Sequence, residues 1–297
     1  MRKSAIALSA IATMIAVPCA AQINFDTVQV RVIPVAANIH MLQGAGGNIG
    51  LAVGDDAVFV VDDQYAPLTR KVLAAIATVT PKSVRFVVNT HWHMDHVGGN
   101  ETLGEMGALI YAHENVRRRM SVDGFIEALN TTVPASPRAA LPVVTFTDAV
   151  TFHINNDSVR VLHVAPAHTD GDAIIHFTRA NVIHMGDTFH NAGLPFVDLS
   201  SGGSLQGFVA AADKVLALSN AETKIIPGHG PLADRARLKA YRDMTVTLRD
   251  RIRTLMSTGK TIEQILELNI GAAYAKDFPG GHERFVRATH QELTRRK

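Results

Sequence analysis

The sequence predicts an α+β chain of two β-rich halves, with two sheets packed face to face and helices outside. Three observations carry that expectation. Short β-branched runs broken by turn residues fill positions 28–62, a strand and helix alternation follows, and a second β series with its own helices then repeats the theme. With 297 residues and 47% apolar side chains, the chain can bury a sizeable core, which excludes disordered and fibrous classes.

Taken in order, the runs VQVRVIPVA, NIHMLQ, NIGLAVG and AVFVVDD are separated by turn signals at Gly44 to Asn48 and Gly54 to Asp56, which predicts an antiparallel meander. Pro67 to Val79 is amphipathic and helical. The strand VRFVVN (84–89) leads through a polar cluster into a helix expected to start near Val97, then the strand ALIYA and the helix ENVRRRM. A stretch rich in Pro, Thr and Ser (131–142) reads as the loop to the second β series, VTFHI, SVRVLHV, DAIIHFT and NVIHMGD. A helix over 204–218, capped by the serines at 201–204, the strand KIIPG and helices near 231–255 and 261–268 follow.

The first twenty-one residues stand apart. Arg2 and Lys3 precede an apolar stretch from Ala5 to Val17 that is too short to span a bilayer, and small residues close the segment at Ala20 and Ala21. That is the layout of a secretory signal peptide. The expected organisation is a signal peptide over 1–21 and a single domain over 22–297 with C-terminal helices, periplasmic or secreted, with no stable membrane insertion after cleavage. Cys19, the only cysteine, falls inside the removed segment, so no thiolate is expected to ligate a metal or act as nucleophile. A net charge of +2, from 29 basic and 27 acidic residues, offers no basic field for nucleic acid and points to a small-molecule partner.

The chemistry is concentrated where strands end. In THWHMDH, side-chain alternation along extended backbone aims His91 and His93 at one point, while Asp95 and His96, on the turn into the next helix, reach a second. Three more strand-end loops carry His168 in APAHTDGD, Asp187 in HMGDTFH and His229 in IIPGHG. His91, His93, Asp95, His96, His168, Asp187 and His229 form a set of N and O donors sufficient for two zinc ions sharing one carboxylate and a bridging water. His113, His153, His163, His176, His184 and His282 lack that turn context and read as ordinary polar residues.

The motifs THWHMDH, AHTDGD, MGDTF and PGHG resemble, in order, those of the metallo-β-lactamase superfamily, over roughly residues 28–255. The resemblance implies a four-layer αββα sandwich with the site at one edge, between the sheets. It implies a first zinc on His91, His93 and His168, a second on Asp95, His96 and His229, Asp187 bridging them, and Asp62 supporting the ligand loop. One β-lactamase subclass has Cys where this chain has Asp187, and another has Ser. Asp187 is similar to the pattern of hydroxyacylglutathione hydrolases, lactonases and many general hydrolases. Export and the lack of an obvious basic patch in the C-terminal residues count against a glutathione thioester, so the expected substrate has a hydrolysable carbonyl in a β-lactam or a lactone. Asp95 is expected to orient the attacking hydroxide, His190 to face the substrate as a proton donor, and Trp92, Phe189, Leu194, Pro195 and Phe196 to wall the ring. Two other readings are a diiron redox protein, disfavoured by His93 and the lack of a flavin domain, and an exported zinc-binding or partner-binding protein without catalysis.

Overall fold

Side chains alternate along a strand, and here both faces of the central strands are buried, which produces four layers from two sheets. The computed structural model describes residues 23–295; the segment read as a signal peptide, with Cys19, lies outside them. Strands β1 (Arg31–Ala36), β2 (Ile39–Gln43), β3 (Ile49–Val53) and β4 (Val58–Val61) form the antiparallel meander. Helix α1 (Thr69–Ala77) crosses to β5 (Val84–Val88), which lies parallel to β4. Short helices α2 (Met94–Val97) and α3 (Asn100–Glu105) lead to β6 (Leu109–His113), then α4 (Glu114–Met120). A small hairpin, β7 (Gly124–Ile126) with β8 (Thr131–Val133), precedes β9 (Val144–Phe146), which closes the first sheet beside β6.

The second sheet runs in the order β10 (Ala149–Ile154), β11 (Asp157–His163), β12 (Ala173–Phe177), β13 (Val182–His184), β14 (Lys224–Ile226), β15 (Ala233–Asp234). Only β13 and β14 pair in parallel, across helix α5 (Leu205–Leu218). Helices α6 (Arg235–Ser257), α7 (Ile262–Glu267) and α8 (His282–Arg295) complete the chain. Phe59 and Val61 point between the sheets, against Val161, Ile175 and Phe177, while Val58 and Val60 point to Val72 and Ile76 of α1. On the far side, Ile174, Ile183 and Ile225 meet Phe208, Val215, Leu238 and Tyr241 of α5 and α6. The αββα order follows from this alternation.

Three boundaries differ from the sequence reading. α2 begins at Met94, so Asp95 and His96 occupy a helical turn rather than the turn before one. The 131–142 stretch is not all loop, because residues 131–133 pair with β7 and Val144–Phe146 still belongs to the first sheet. Residues 231–234 are not helical: β15 occupies 233–234, and Asp234 caps α6 by accepting from the Arg237 amide.

Ser204 caps α5, accepting from the Gly207 amide, and the turn it starts presses backbone to backbone on the loop before His168. A Cβ on Gly207 would lie 1.8 Å from the Pro166 carbonyl oxygen. A helical Gly→Ala change on an open surface raises stability by about 1 kcal/mol. For Gly207→Ala the overlap dominates, and urea unfolding of the metal-free protein is expected to show a loss of about 2 kcal/mol; an increase in stability contradicts this packing.

Candidate metal centre

The donor residues all sit at one edge of the sandwich, where strands from both sheets end. Beyond β5 the chain bends at Thr90 and His91 before entering α2, and the loops after β11, β13 and β14 bring His168, Asp187 and His229 from the second sheet. The structure brings all seven sequence-derived candidates together. His91, His93 and His168 form one group of donor atoms within 4.8 Å of one another, and Asp95, His96 and His229 form another. Asp187 stands between them: Oδ1 is 3.2 Å from His96 Nε2 and 3.4 Å from His229 Nε2, and Oδ2 is 3.6 Å from His168 Nε2. Such closeness needs bare backbone. A Cβ on Gly228 would fall 2.0 Å from Asp187 Oδ1, and one on Gly47 would fall 2.1 Å from His96 Cε1.

Hydrogen bonds fix which imidazole nitrogen faces inward. Asp62 Oδ2 accepts from His96 Nδ1 at 2.8 Å and from the Thr90 hydroxyl at 2.7 Å, and Oδ1 accepts from the Thr90 amide at 2.7 Å. Having given its proton to Asp62, the Thr90 oxygen accepts from His91 Nδ1 at 3.0 Å. Asp198 Oδ2 accepts from His93 Nε2 at 3.0 Å, and the Phe196 carbonyl accepts from His168 Nδ1 at 2.6 Å. The inward nitrogens are therefore Nε2 of His91, His96 and His168 and Nδ1 of His93.

That arrangement fits a cation and little else. His168 Nε2 and His93 Nδ1 stand 2.8 Å apart, and His96 Nε2 and His229 Nε2 stand 3.3 Å apart. Tetrahedral nitrogen ligands at zinc distances are separated by about 3.3 Å. His91 Nε2 is buried without a hydrogen-bond partner, a costly condition that a metal ion relieves. Burial holds His91 well below its ordinary pKa, with His96 and His168 adding to the effect. Burial and His93 bring His168 down to about 4. Burial also opposes charge on His229 and on His96, but Asp187 and Asp95 outweigh it, raising His229 to about 10 and His96 well above its usual range. The field that keeps a proton there attracts a metal ion equally.

The centre opens into a cleft of about 210 Å³ lined by Tyr65, Met94, Ile126, Leu129, His190 and Phe196 around the donors. His190 does face this cleft. Burial and His229 lower it to about 4, so it is a neutral ring at neutral pH and offers a hydrogen bond more readily than a proton. The expected apolar wall is largely absent. Phe189 and Leu194 are buried in the core against α6 and α8, Pro195 does not line the cleft, and Trp92 packs with Val116 and Met120 while its Nε1 donates to Ser201. Only Phe196 of that group lines the cleft; Ile126 and Leu129, from the β7–β8 hairpin, supply the rest.

Sequence reasoning missed three groups. Thr90 relays Asp62 to His91. Asp198 gathers His93, Ser200 and Ser201 around its carboxylate and is held well below the usual range by His93 and the two serines, against burial. Arg284 enters the cleft wall from α8, where no basic group was expected.

A family model described as the metallo-beta-lactamase superfamily matches residues 42–229. The chain belongs to the metallo-β-lactamase superfamily. The αββα sandwich is that superfamily's fold, and with the His/Asp cluster it implies bound metal ions. A hydroxyacylglutathione hydrolase from Gloeobacter violaceus is 31% identical over 152 residues, a match covering 48% of this chain and about half, 52%, of the relative. Among solved structures, a metallo-beta-lactamase from Pontibacter korlensis aligns with a TM-score of 0.60 at 18% identity, over 73% of this chain and 99% of its own. The sec-alkylsulfatase Pisa1 from Pseudomonas sp. aligns at 0.65 and 18%, over 88% of this chain and 50% of its own. Both structures share the fold.

Two outcomes follow for metal uptake. Because Asp198 sets the tautomer of His93, Asp198→Asn is expected to weaken metal binding about 10- to 100-fold without altering the circular dichroism, as read by competition with a chromogenic chelator. Unchanged affinity contradicts that role. Because His229 binds a proton up to about pH 10 in the metal-free protein, metal uptake at pH 7 is expected to release at least one proton. Apparent affinity then rises with pH between 6 and 9, and an affinity flat over that range contradicts the arrangement.

Proposed function

We propose that this chain is an exported metal-dependent hydrolase that opens a cyclic amide or ester, of β-lactam or lactone type. The observation that carries the reading is Asp187, whose two oxygens face two separate sets of nitrogen donors. In this reading His91, His93 and His168 would hold one zinc ion and Asp95, His96 and His229 a second, with Asp187 a donor within reach of both. Zinc so held supplies an activated water at neutral pH and polarises a substrate carbonyl.

The chain's own groups do the rest. Asp95 is held ionised, lowered to about 2 by His96 and His229 in spite of burial, and its partly exposed carboxylate accepts a hydrogen bond from the attacking water and orients it. Phe196, Met94, Ile126 and Leu129 exclude bulk water from one side of the cleft and hold an apolar ring. His190, neutral and beside His229, hydrogen-bonds the departing nitrogen or oxygen. Export rests on the N-terminal segment alone.

A thioester is the second reading, favoured by the relative named as a hydroxyacylglutathione hydrolase. One panel separates the cases. Metal-replete protein is expected to hydrolyse a chromogenic cephalosporin or a simple lactone faster than an acylglutathione thioester. Chelation should abolish turnover and added zinc should restore it. Preference for the thioester selects the second reading, and failure to cleave any of the three defeats both.

A further inference from the structure

His184 ends β13 on the strand face that Val182 packs between the two sheets, and it is fully buried there. An imidazole in that place is costly unless both of its nitrogens are bonded. Both are. The Gly186 amide donates to Nδ1 at 3.1 Å, which leaves the ring proton on Nε2, and Nε2 donates to the Asn48 carbonyl at 3.0 Å. Gly50 makes room for the imidazole: a Cβ on it would stand 3.0 Å from His184 Cδ2.

Those two bonds complete a closed circuit. The Asn48 amide donates to the Gly228 carbonyl at 2.7 Å, the Gly228 amide donates to the Gly186 carbonyl at 2.8 Å, and the Gly186 amide leads back through His184 to the Asn48 carbonyl. All four residues are buried, and they come from both sheets. Each segment of the circuit adjoins a donor of the metal centre. Gly186 precedes Asp187, Gly228 precedes His229, and Gly47, beside Asn48, donates its amide to the Asp95 carbonyl at 3.0 Å. The Asn48 side chain also grips the chain on either side of His229, donating to the Pro227 and Gly230 carbonyls at 2.9 Å each. None of these bonds reaches His91, His93 or His168, which are oriented by Thr90, Asp198 and the Phe196 carbonyl.

We infer that His184 is a positioning residue for one half of the centre. By closing the circuit it sets Asp187 against His229, and so decides how firmly the Asp95, His96 and His229 set holds its ion, without acting on the His91, His93 and His168 set. The task needs a side chain with an acceptor for one loop and a donor for the other. Glutamine offers both, whereas leucine fills similar space and offers neither. With leucine the Gly186 amide and the Asn48 carbonyl lose a buried partner, and the loops that carry Asp187 and His229 lose their common tie. The two-ion part of this statement rests on the metal assignment of the hydrolase reading; the circuit does not.

The test strips zinc from the loaded full chain with a chromogenic chelator and reads the two ions as two steps. His184→Leu is expected to weaken one ion about 10- to 100-fold and to hold the other within about threefold of the parent. His184→Gln is expected to recover most of that loss, which a space-filling role would not give. Unchanged affinities in His184→Leu, equal weakening of both ions, or a glutamine variant no better than leucine overturns the assignment. Amide hydrogen exchange on the loaded parent adds a measurement that needs no variant. The Gly186 and Gly228 amides are expected to exchange at least about 100-fold more slowly than that of exposed Gly280, and comparable rates would break the circuit. A parent that yields zinc in a single step defeats the two-ion reading; the exchange rates then decide on His184, as they do if His184→Leu does not fold.

Discussion

The centre depends on one buried carboxylate. Asp62, at the end of β4, accepts the Thr90 amide, the Thr90 hydroxyl and His96 Nδ1, and through Thr90 it also fixes His91. Two adjacent histidines, their ring centroids 4.1 Å apart, thus take their orientation from a single group that contributes no donor atom to either set. Asp62 does this from a left-handed backbone conformation, φ 61°, repeated two residues on at Gln64, φ 66°. Non-glycine residues reach that region at a cost on the order of 1 kcal/mol or more, and they persist where surrounding contacts over-determine them. Gln64 supplies such contacts, accepting from the Gly46 amide and donating to the Gly47 carbonyl beside His96.

Around that anchor the sandwich does two jobs. Its sheets hold the strand ends rigidly, so that loops of few residues present donors with little freedom, and its apolar layers keep the donors dry. Dryness strengthens every charge interaction at the edge. Burial pushes His91 and His168 toward neutrality, while Asp187 and Asp95 hold His229 and His96 cationic in the metal-free state. The result is a site in which charge is disfavoured on His91 and His168 and favoured on His96 and His229, with Asp187 within reach of both sides.

How much of this the sequence discloses depends on the range of each interaction. The ligand set is local information: period-2 alternation beyond a strand, a turn into a helix, and polar residues in Gly- or Pro-rich loops after strands. Two sheets with helices outside were legible from two β-rich halves that each carry flanking helices, and the four-layer order came with the motif resemblance. Asp198 and Arg284 were not accessible in that way. Asp198 lies 105 residues from His93, and Arg284 depends on α8 packing back across the β7–β8 hairpin. Pattern also fails to say which side of a loop an aromatic ring takes. Phe189 and Phe196 are neighbours in one loop, yet the first is in the core and the second lines the cleft.

The central claim is that two donor sets, with fixed tautomers, meet at Asp187. Anomalous scattering at the zinc edge from a crystal of the metal-loaded protein tests it most directly. The account predicts two peaks, one against Nε2 of His91, Nδ1 of His93 and Nε2 of His168, the other against Asp95, His96 Nε2 and His229 Nε2, with Asp187 touching both. A single peak, or a metal on Nε2 of His93 in place of its bond to Asp198, would contradict it.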